Sequence, residues 1–415
     1  MLIGVIGDDF TGSSDIANNL KKAGMSVSMY AGVPKKKSLK PSSQAIVIAL
    51  KTRTIPVKDA IKESLKALDW LKNASCKKFI FKYCSTFDST KKGNIGPVID
   101  AIMENLKCDF TIACPSFPDA GRSLYFGHMF VNGIPLNECG MENHPLTPMT
   151  DHNLVRWLNY QTKNKVGLID ITSIKKGSEE IKKKIASLKK QGMKYCLIDT
   201  IENIDFDKIC EGTKHLKFLT GGSGIALGLP KIFKKQGLIN KTNNILPKTN
   251  SYSIILSGSC SNTTLNQIRN YKNKYPSLNL SPDKIINDSE YFGKVIDWII
   301  KNKKNKPLLY SSSKPDLVKK NQEKYGKNLI ALKIEAFFQD VVSKLYKEDF
   351  KKIVSAGGET SGAVVKGLGI EELQIGQEIA AGVPIMWEPN KSIKIALKSG
   401  NFGQEDFFSR ALKML

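Results

Sequence analysis

The sequence predicts an α/β protein of two domains, each with a mainly parallel sheet flanked by helices. Three observations carry that expectation. The chain has 415 residues, more than one compact core uses. Short apolar runs of strand length alternate with lysine-rich stretches of helical spacing. Many of the runs end in small polar turns, as strands do when a covering helix follows.

The elements follow in order. LIGVIG is an apolar run, DDFTGSSD a turn, and IANNLKKAGM a helix, the opening of an α/β unit. Further strand candidates are AIVIAL (45–50), KFIFKYC (78–84), FTIACPS (110–116), KVGLIDI (165–171), KYCLIDT (194–200) and FLTGGSG (218–224), spaced by helices such as IKESLKALDWLKN and IKKKIASLKKQG. The second half repeats the grammar with YSIILSGSC (252–260), PLLYSSS (307–313), DFKKIVSAGGETSGAVVKGLG and SIKIALKSGNFGQEDFFSRALKML. Between the halves, KKQGLINKTNNILPKTN is polar, asparagine-rich and weakly patterned. The expected layout is a first domain over 1–233, a linker over 234–250 and a second domain over 251–415.

The bulk numbers exclude several classes. The net charge of +24 suggests nucleic acid, but the 63 basic residues include only five arginines, Arg53, Arg122, Arg156, Arg269 and Arg410. Base readers lean on the arginine fork, whereas lysines spread in runs coat solvated faces. No nucleic-acid partner is expected, although the positive field would attract an anionic substrate. The eight cysteines form no C-x-x-C pair and most lie in apolar runs, which suits free thiols in a reducing compartment. MLIGVIGDDF lacks a basic n-region, and no run of about 18 apolar residues occurs. Neither a signal peptide nor a membrane partner is expected, and the expected location is cytoplasmic.

The turns of the second half point to phosphate. SGSCSNTT, SAGGETSG and KSGNFG each follow a strand candidate. Ligands of open α/β sheets bind beyond the carboxyl ends of strands, where glycine lets the backbone approach and the next helix offers free N–H groups. One such turn alone is equally a structural crossover; three in one domain favour a nucleotide. Neither G-x-x-x-x-G-K-[ST] nor G-x-G-x-x-G is present, and GGSGIALG (221–228) misses the second spacing. A Walker loop is excluded, and the missing second fingerprint argues against a standard dinucleotide fold.

The first half carries acids and hydroxyls. GDDFTG puts Asp8 and Asp9 at a strand tip with Thr11 and Asp15 nearby; either acid could be only a helix cap, but two adjacent acids suit polyol hydroxyls or a base for a hydroxyl nucleophile. In KYCSTFDSTKKGNIG (82–96), hydroxyl pairs bracket Asp88, with Lys82 upstream and Ser85 between, a density that suits a sugar acid or a capped turn. PSFPDAGRSLYFGHMFVNGIPL carries Arg122, a planar fork for a carboxylate, in what reads as a polar loop. His128 and His144 have no second ligand at metal spacing and read as structural.

Together these motifs resemble the four-carbon acid sugar kinase family. DDFTG, DST-x-x-GN (Asp88–Asn94), P-S-F-P-D-A-G-R, SGSCS, GGETSG and KSGNFG run in family order over nearly the whole chain. CSTFDSTKKGNIGPV is similar to the 3-oxo-tetronate kinase subgroup: Thr86 stands where threonate and erythronate kinases would place a lysine, and Lys91 and Lys92 stand where those would have Leu-Arg. The resemblance implies a sugar-acid-binding first domain, a nucleotide-binding second domain, and ATP- and Mg²⁺-dependent phosphorylation of the terminal hydroxyl of a four-carbon 3-oxo acid. It implies ATP contacts at Ser257 or Ser259, at Gly357, Gly358, Glu359 and Thr360, and at Gly400. The expected acid-sugar partners are Asp8, Asp9, Lys82, Ser85, Asp88 and Arg122. Asp9, Asp8 or Asp88 would take the hydroxyl proton, with Asp9 preferred. Glu359 is the candidate magnesium contact. Hinge motion around 230–252 and a homodimer are further expectations. An NAD-linked sugar-acid dehydrogenase and a non-catalytic sugar-acid sensor are the rival readings. The missing dinucleotide fingerprint weighs against the first, and the intact DDFTG and GGETSG against the second.

Overall fold

Alternating apolar strands and amphipathic helices build, in the computed structural model, two compact units, Met1–Asn243 and Asn244–Leu415. The structure describes residues 1–35, 43–144, 146–239, 249–313, 315–388 and 390–415. Residues 240–248 of the expected linker lie outside the described residues, and its first two residues belong to the helix Leu229–Lys235. Among the described residues no helix is long and apolar enough to cross a membrane.

The first unit holds strands β1 (Ile3–Gly7), β2 (Val27–Ala31), β3 (Ala45–Ala49), β4 (Lys78–Lys82), β5 (Thr111–Cys114), β6 (Arg122–Tyr125), β7 (His128–Val131), β8 (Ile134–Pro135), β9 (Val166–Ile169), β10 (Tyr195–Ile198) and β11 (Phe218–Gly221). Its main sheet runs β2-β3-β1-β4-β11-β5-β10-β9 with parallel pairing throughout. All five residues of β1 are buried, as expected for a strand covered on both faces. Each fully buried Ile or Val there contributes about 1.5–3 kcal/mol of transfer free energy. From β1 the chain crosses to β2 at the edge, comes back inward to β3, and then passes to β4 on the other side of β1. The carboxyl ends of β1 and β4 therefore form the switch point at which open α/β sheets bind ligands.

The segment after β5 departs from the expected polar loop. Arg122 opens β6, which pairs antiparallel with β7, and β7 with β8, in a separate three-stranded sheet. Each of β6 and β7 buries one side chain, Leu124 and Met129, so neither shows the apolar run that marks the main strands.

The second unit holds β12 (Tyr252–Ser257), β13 (Ser277–Asn279), β14 (Leu308–Tyr310), β15 (Phe350–Ala356), β16 (Glu372–Ala380), β17 (Val383–Glu388) and β18 (Ile393–Lys398). The order is β13-β14-β12-β15-β18-β17-β16. The first five pair in parallel, and β17 pairs antiparallel with both β18 and β16. The carboxyl ends of β12, β14, β15 and β18 thus lie on one edge of the sheet. The terminal helix Phe407–Met414 packs Phe407, Phe408, Ala411 and Leu412 into the core beneath it.

Candidate active site

In the first unit the site begins where β1 stops. Asp9 caps the helix Phe10–Lys22: its Oδ1 accepts from the Gly12 N–H at 2.9 Å and its Oδ2 from the Thr11 hydroxyl at 2.8 Å. The capping role is therefore present, but it is not the only one. Arg53, which follows β3, donates from Nε and Nη2 to both oxygens of Asp8 at 2.8 Å. Its Nη2 also lies 2.9 Å from Asp9 Oδ1, and Nη1 lies 3.8 Å from Asp88 Oδ2. One guanidinium thus gathers all three sequence-predicted acids, with the bidentate geometry that the arginine fork favours. Asn94 fixes the loop that carries it, donating to the carbonyls of Thr52 at 2.7 Å and Ile55 at 2.9 Å.

The two neighbouring carboxyls are driven apart. Burial pushes Asp8 above its ordinary value, against the opposing pull of Arg53. Burial acts on Asp9 too, but Arg53, Lys82, Thr11 and Gly12 together hold it below its ordinary value. Asp9 is also the more accessible, its side chain 18% exposed against 5% for Asp8. It is the more reachable member of the pair and the one whose surroundings favour the ionised form more.

The turn after β4 brings the rest. Lys82, at the strand's last position, is buried and donates to the Tyr83 carbonyl at 2.6 Å. A Cβ on Gly12 would stand 2.7 Å from Lys82 Nζ, so glycine lets the ammonium reach the head of the helix. Ser85 and Asp88 are buried, and the Thr86 hydroxyl donates to Asp88 Oδ1 at 2.5 Å. Thr86 thus fixes the rotamer of Asp88. Lys91 and Lys92 are exposed, with the Lys91 ammonium 4.7 Å from the centre of the Tyr160 ring. Ser89 does not face the site: its hydroxyl accepts from Trp157 Nε1 and Gln161 Nε2 at 3.1 and 2.9 Å. Arg122 is half-buried, donates to the Ala120 carbonyl, and contributes with Lys82 to the field at Asp15.

Asp15 is a buried carboxyl one and a half turns into the helix. Its Oδ2 accepts from the Ser223 hydroxyl, and its Oδ1 has no hydrogen-bond partner. Burial raises it from 3.8 to about 6. The folded state therefore binds a proton here that the unfolded chain has already lost, so stability falls as pH rises from about 4 to about 6. The loss is at most about 3 kcal/mol, for a shift of two units. Asp15→Asn removes this ionisation. It is expected to melt several degrees above the wild type at pH 8 and level with it near pH 4, as thermal melts at the two pH values would report.

In the second unit three turns meet at the sheet edge. After β12, Ser257 shares a buried 2.9 Å hydrogen bond with Ser312, and Ser261 caps the helix Asn262–Lys272. After β15, Gly357 has φ +116°, and the helix Gly358–Gly367 begins without a side-chain cap. After β18, the Gly400 carbonyl accepts from Ser261 Oγ at 2.6 Å, Thr264 Oγ1 at 2.8 Å and Lys398 Nζ at 2.9 Å. The turns touch. A Cβ on Gly400 would stand 2.5 Å from Ser259 Oγ, one on Gly357 would stand 3.1 Å from Ser259 N, and one on Gly258 would collide with Thr360 Oγ1. Gly358 and Glu359 are exposed at the head of their helix, and Thr360 is buried. Ser257, Ser259, Gly357, Gly358, Glu359, Thr360 and Gly400 are thus brought to one place, where glycine backbone meets the head of a helix. That arrangement suits phosphate oxygens.

Sequence reasoning missed Arg53, Ser223, Thr264 and Lys398. Arg53 carried one signal, being one of five arginines in a chain of 58 lysines. A shallow recess of about 590 Å³ lined by Phe126, Arg156, Tyr160 and Leu168 holds none of these groups.

The chain matches the family model described as a sugar-binding N-terminal domain over residues 3–229, and that described as a nucleotide-binding C-terminal domain over residues 254–408. The chain belongs to the four-carbon acid sugar kinase family, in its 3-oxo-tetronate kinase branch. It is 42% identical over 415 residues to the 3-oxo-tetronate kinase of Haemophilus influenzae, covering 100% of both chains. It is 43% identical over 420 residues to that of Burkholderia multivorans, covering 100% of this chain and 97% of the other. Among solved structures, a Haemophilus influenzae protein is 41% identical, with a TM-score of 0.77 and 99% of each chain covered. A Salmonella typhimurium LT2 protein, solved under a provisional tRNA synthase description, is 35% identical, with a TM-score of 0.87 and 100% and 99% of the chains covered.

Proposed function

We propose that the protein is an ATP-dependent kinase that phosphorylates the terminal (4-) hydroxyl of 3-oxo-tetronate. The observation that carries the reading is the meeting of three glycine- and serine-bearing turns at one sheet edge in the nucleotide-binding unit, in a chain whose other unit gathers three carboxylates around one arginine.

Phosphoryl transfer needs positioning and charge neutralisation rather than covalent work by the protein. The acid sugar lies against Asp8, Asp9, Lys82, Ser85, Asp88 and Arg122, with Lys82 and Arg122 supplying positive charge for its carboxylate. Asp9 takes the proton of the terminal hydroxyl as that oxygen bonds to the γ-phosphorus and the bond to the ADP oxygen breaks. Arg53 keeps Asp9 anionic and aimed. The head of the helix Gly358–Gly367 and the turns at Ser257–Ser259 and Gly400 hold the phosphates. Magnesium would supply neutralising charge on those phosphates, and Glu359 is the acid these turns offer it; the ion commonly needs only one or two carboxylates beside phosphate and water.

The test is a coupled ADP-release assay with Mg-ATP on 3-oxo-tetronates, D-threonate, D-erythronate and L-threonate. Turnover on the oxo acid alone is expected. Turnover on a threonate or erythronate instead would move the protein to another branch of the family, and nicotinamide consumption with no ADP release would overturn the kinase reading.

A further inference from the structure

Lys398 in the second unit has no acid paired with it among the described residues. Lys398 is the last residue of β18 and is 0% exposed. Its Nζ donates to Thr264 Oγ1 at 3.0 Å and to the carbonyls of Ser399 and Gly400 at 2.8 and 2.9 Å, which fills its three donor positions. Its ring neighbour is Phe407, 5.9 Å away. Among the described residues it makes no ion pair. A neutral donor would pin a loop at far less desolvation cost than an ammonium, because an uncompensated buried charge is among the most expensive groups a fold can carry. The position therefore asks for an anion that comes from outside the chain.

We infer that Lys398 is the counter-charge for the nucleotide phosphates, acting from beneath the turn that it pins. The Gly400 carbonyl it binds is the same one that accepts from Ser261 and Thr264, and Gly400 packs on Ser259. Charge on Lys398 thus both fixes the KSGNFG turn and adds positive potential under it. Its role is positioning and electrostatic: no donor is left over for direct contact. The inference rests on the nucleotide reading of these turns.

The state of Lys398 without nucleotide follows from its surroundings. Burial lowers it to about 7, and burial is the sole contributor. Thr264 and Gln267 on the helix Asn262–Lys272, Ala356 beside it on β15, and Phe407 on the terminal helix are all neutral. The charged groups on those elements, Arg269, Lys272, Lys351, Lys352, Arg410 and Lys413, do not contribute, nor do Glu359 and Lys366 on the helix Gly358–Gly367 or Glu405 and Asp406 before the terminal helix. Phosphate would restore the charge, so nucleotide binding takes up a proton in the range just above pH 7, and affinity falls as pH rises through that range. The four histidines, His128, His144, His152 and His215, all belong to the first unit, so no histidine of the second unit titrates in this window.

Calorimetry of the full chain with Mg-ADP at pH 7.5–8, in two buffers of different ionisation heat, tests this directly. The wild type is expected to take up about 0.5–1 proton per nucleotide. Lys398→Met is expected to take up none and to bind Mg-ADP at least about tenfold more weakly, with adenosine affinity unchanged. Lys398→Arg is expected to keep the affinity and lose the uptake, because arginine stays charged. Zero uptake by the wild type, or equal uptake by wild type and Lys398→Met, overturns the inference while leaving the kinase reading intact. Should Lys398→Met not fold, the wild-type uptake and the pH dependence of its Kd decide alone. A full chain that binds no Mg-ADP at any pH would overturn the nucleotide reading itself.

Discussion

Asp9→Asn is expected to fold and to lose turnover. Asparagine caps a helix as well as aspartate does, so the bond from the Gly12 N–H at 2.9 Å and the helix Phe10–Lys22 survive the change. What is lost is the charge. Asp9 is the carboxyl that Arg53, Lys82, Thr11 and Gly12 keep ionised, and it is the more accessible of the pair. A positioned base contributes about 10²–10⁴-fold to proton transfer, so kcat is expected to fall by roughly 10²–10⁴ with little change in KM for ATP. The companion variant separates base from scaffold. Asp8 holds Arg53 through two 2.8 Å bonds and is nearly inaccessible, so Asp8→Asn is expected to lower the melting temperature more than Asp9→Asn does. Steady-state kinetics and melts on both variants check the pair. Full activity in Asp9→Asn with loss in Asp8→Asn or Asp88→Asn would transfer the role to the other acid.

How far the sequence could reach is visible in these same residues. Asp8 and Asp9 were legible because a run of five buried residues ends beside them and a helix starts on their cap, a local pattern read with period alone. Arg53 was not, because its partners lie 45, 44 and 35 positions away, Asp8 and Asp9 after β1 and Asp88 after β4, and only the sheet order β3-β1-β4 brings them to it. Lys398 was hidden by composition. In a chain with 58 lysines nothing local separates a solvated lysine from one at 0% exposure under a turn. The antiparallel pair β16–β17 was missed for another reason. β16 alternates buried and half-exposed side chains, as a strand open on one face does, and so lacks the continuous apolar run of the parallel strands. Glycine was read better than charge: SAGGETSG and KSGNFG each contain a residue whose Cβ would press on Ser259.

Gly357→Ala should damage nucleotide binding. Two costs coincide. The backbone sits at φ +116° and ψ 140°, a conformation that L side chains rarely adopt, with strain of about 1–3 kcal/mol. The new Cβ would also stand 3.1 Å from the Ser259 amide and 3.3 Å from its Cβ, so one turn must move against the other. The Gly357 N–H bonds the Lys398 carbonyl at 2.8 Å, and any shift passes to the third turn. The expected outcome is a KM for ATP raised by about 10- to 100-fold with the acid-sugar KM unchanged, since the damage is confined to phosphate positioning. Gly369→Ala is the control. Gly369 has φ +57°, and its Cβ would meet only the flexible end of Lys391, so that variant carries backbone strain without touching the turns. If both variants lowered stability alike but only Gly357→Ala raised the KM for ATP, strain and site would be separated. Equal effects on KM would mean that general destabilisation, not the meeting of the turns, governs nucleotide binding, and the phosphate role of SAGGETSG would fall.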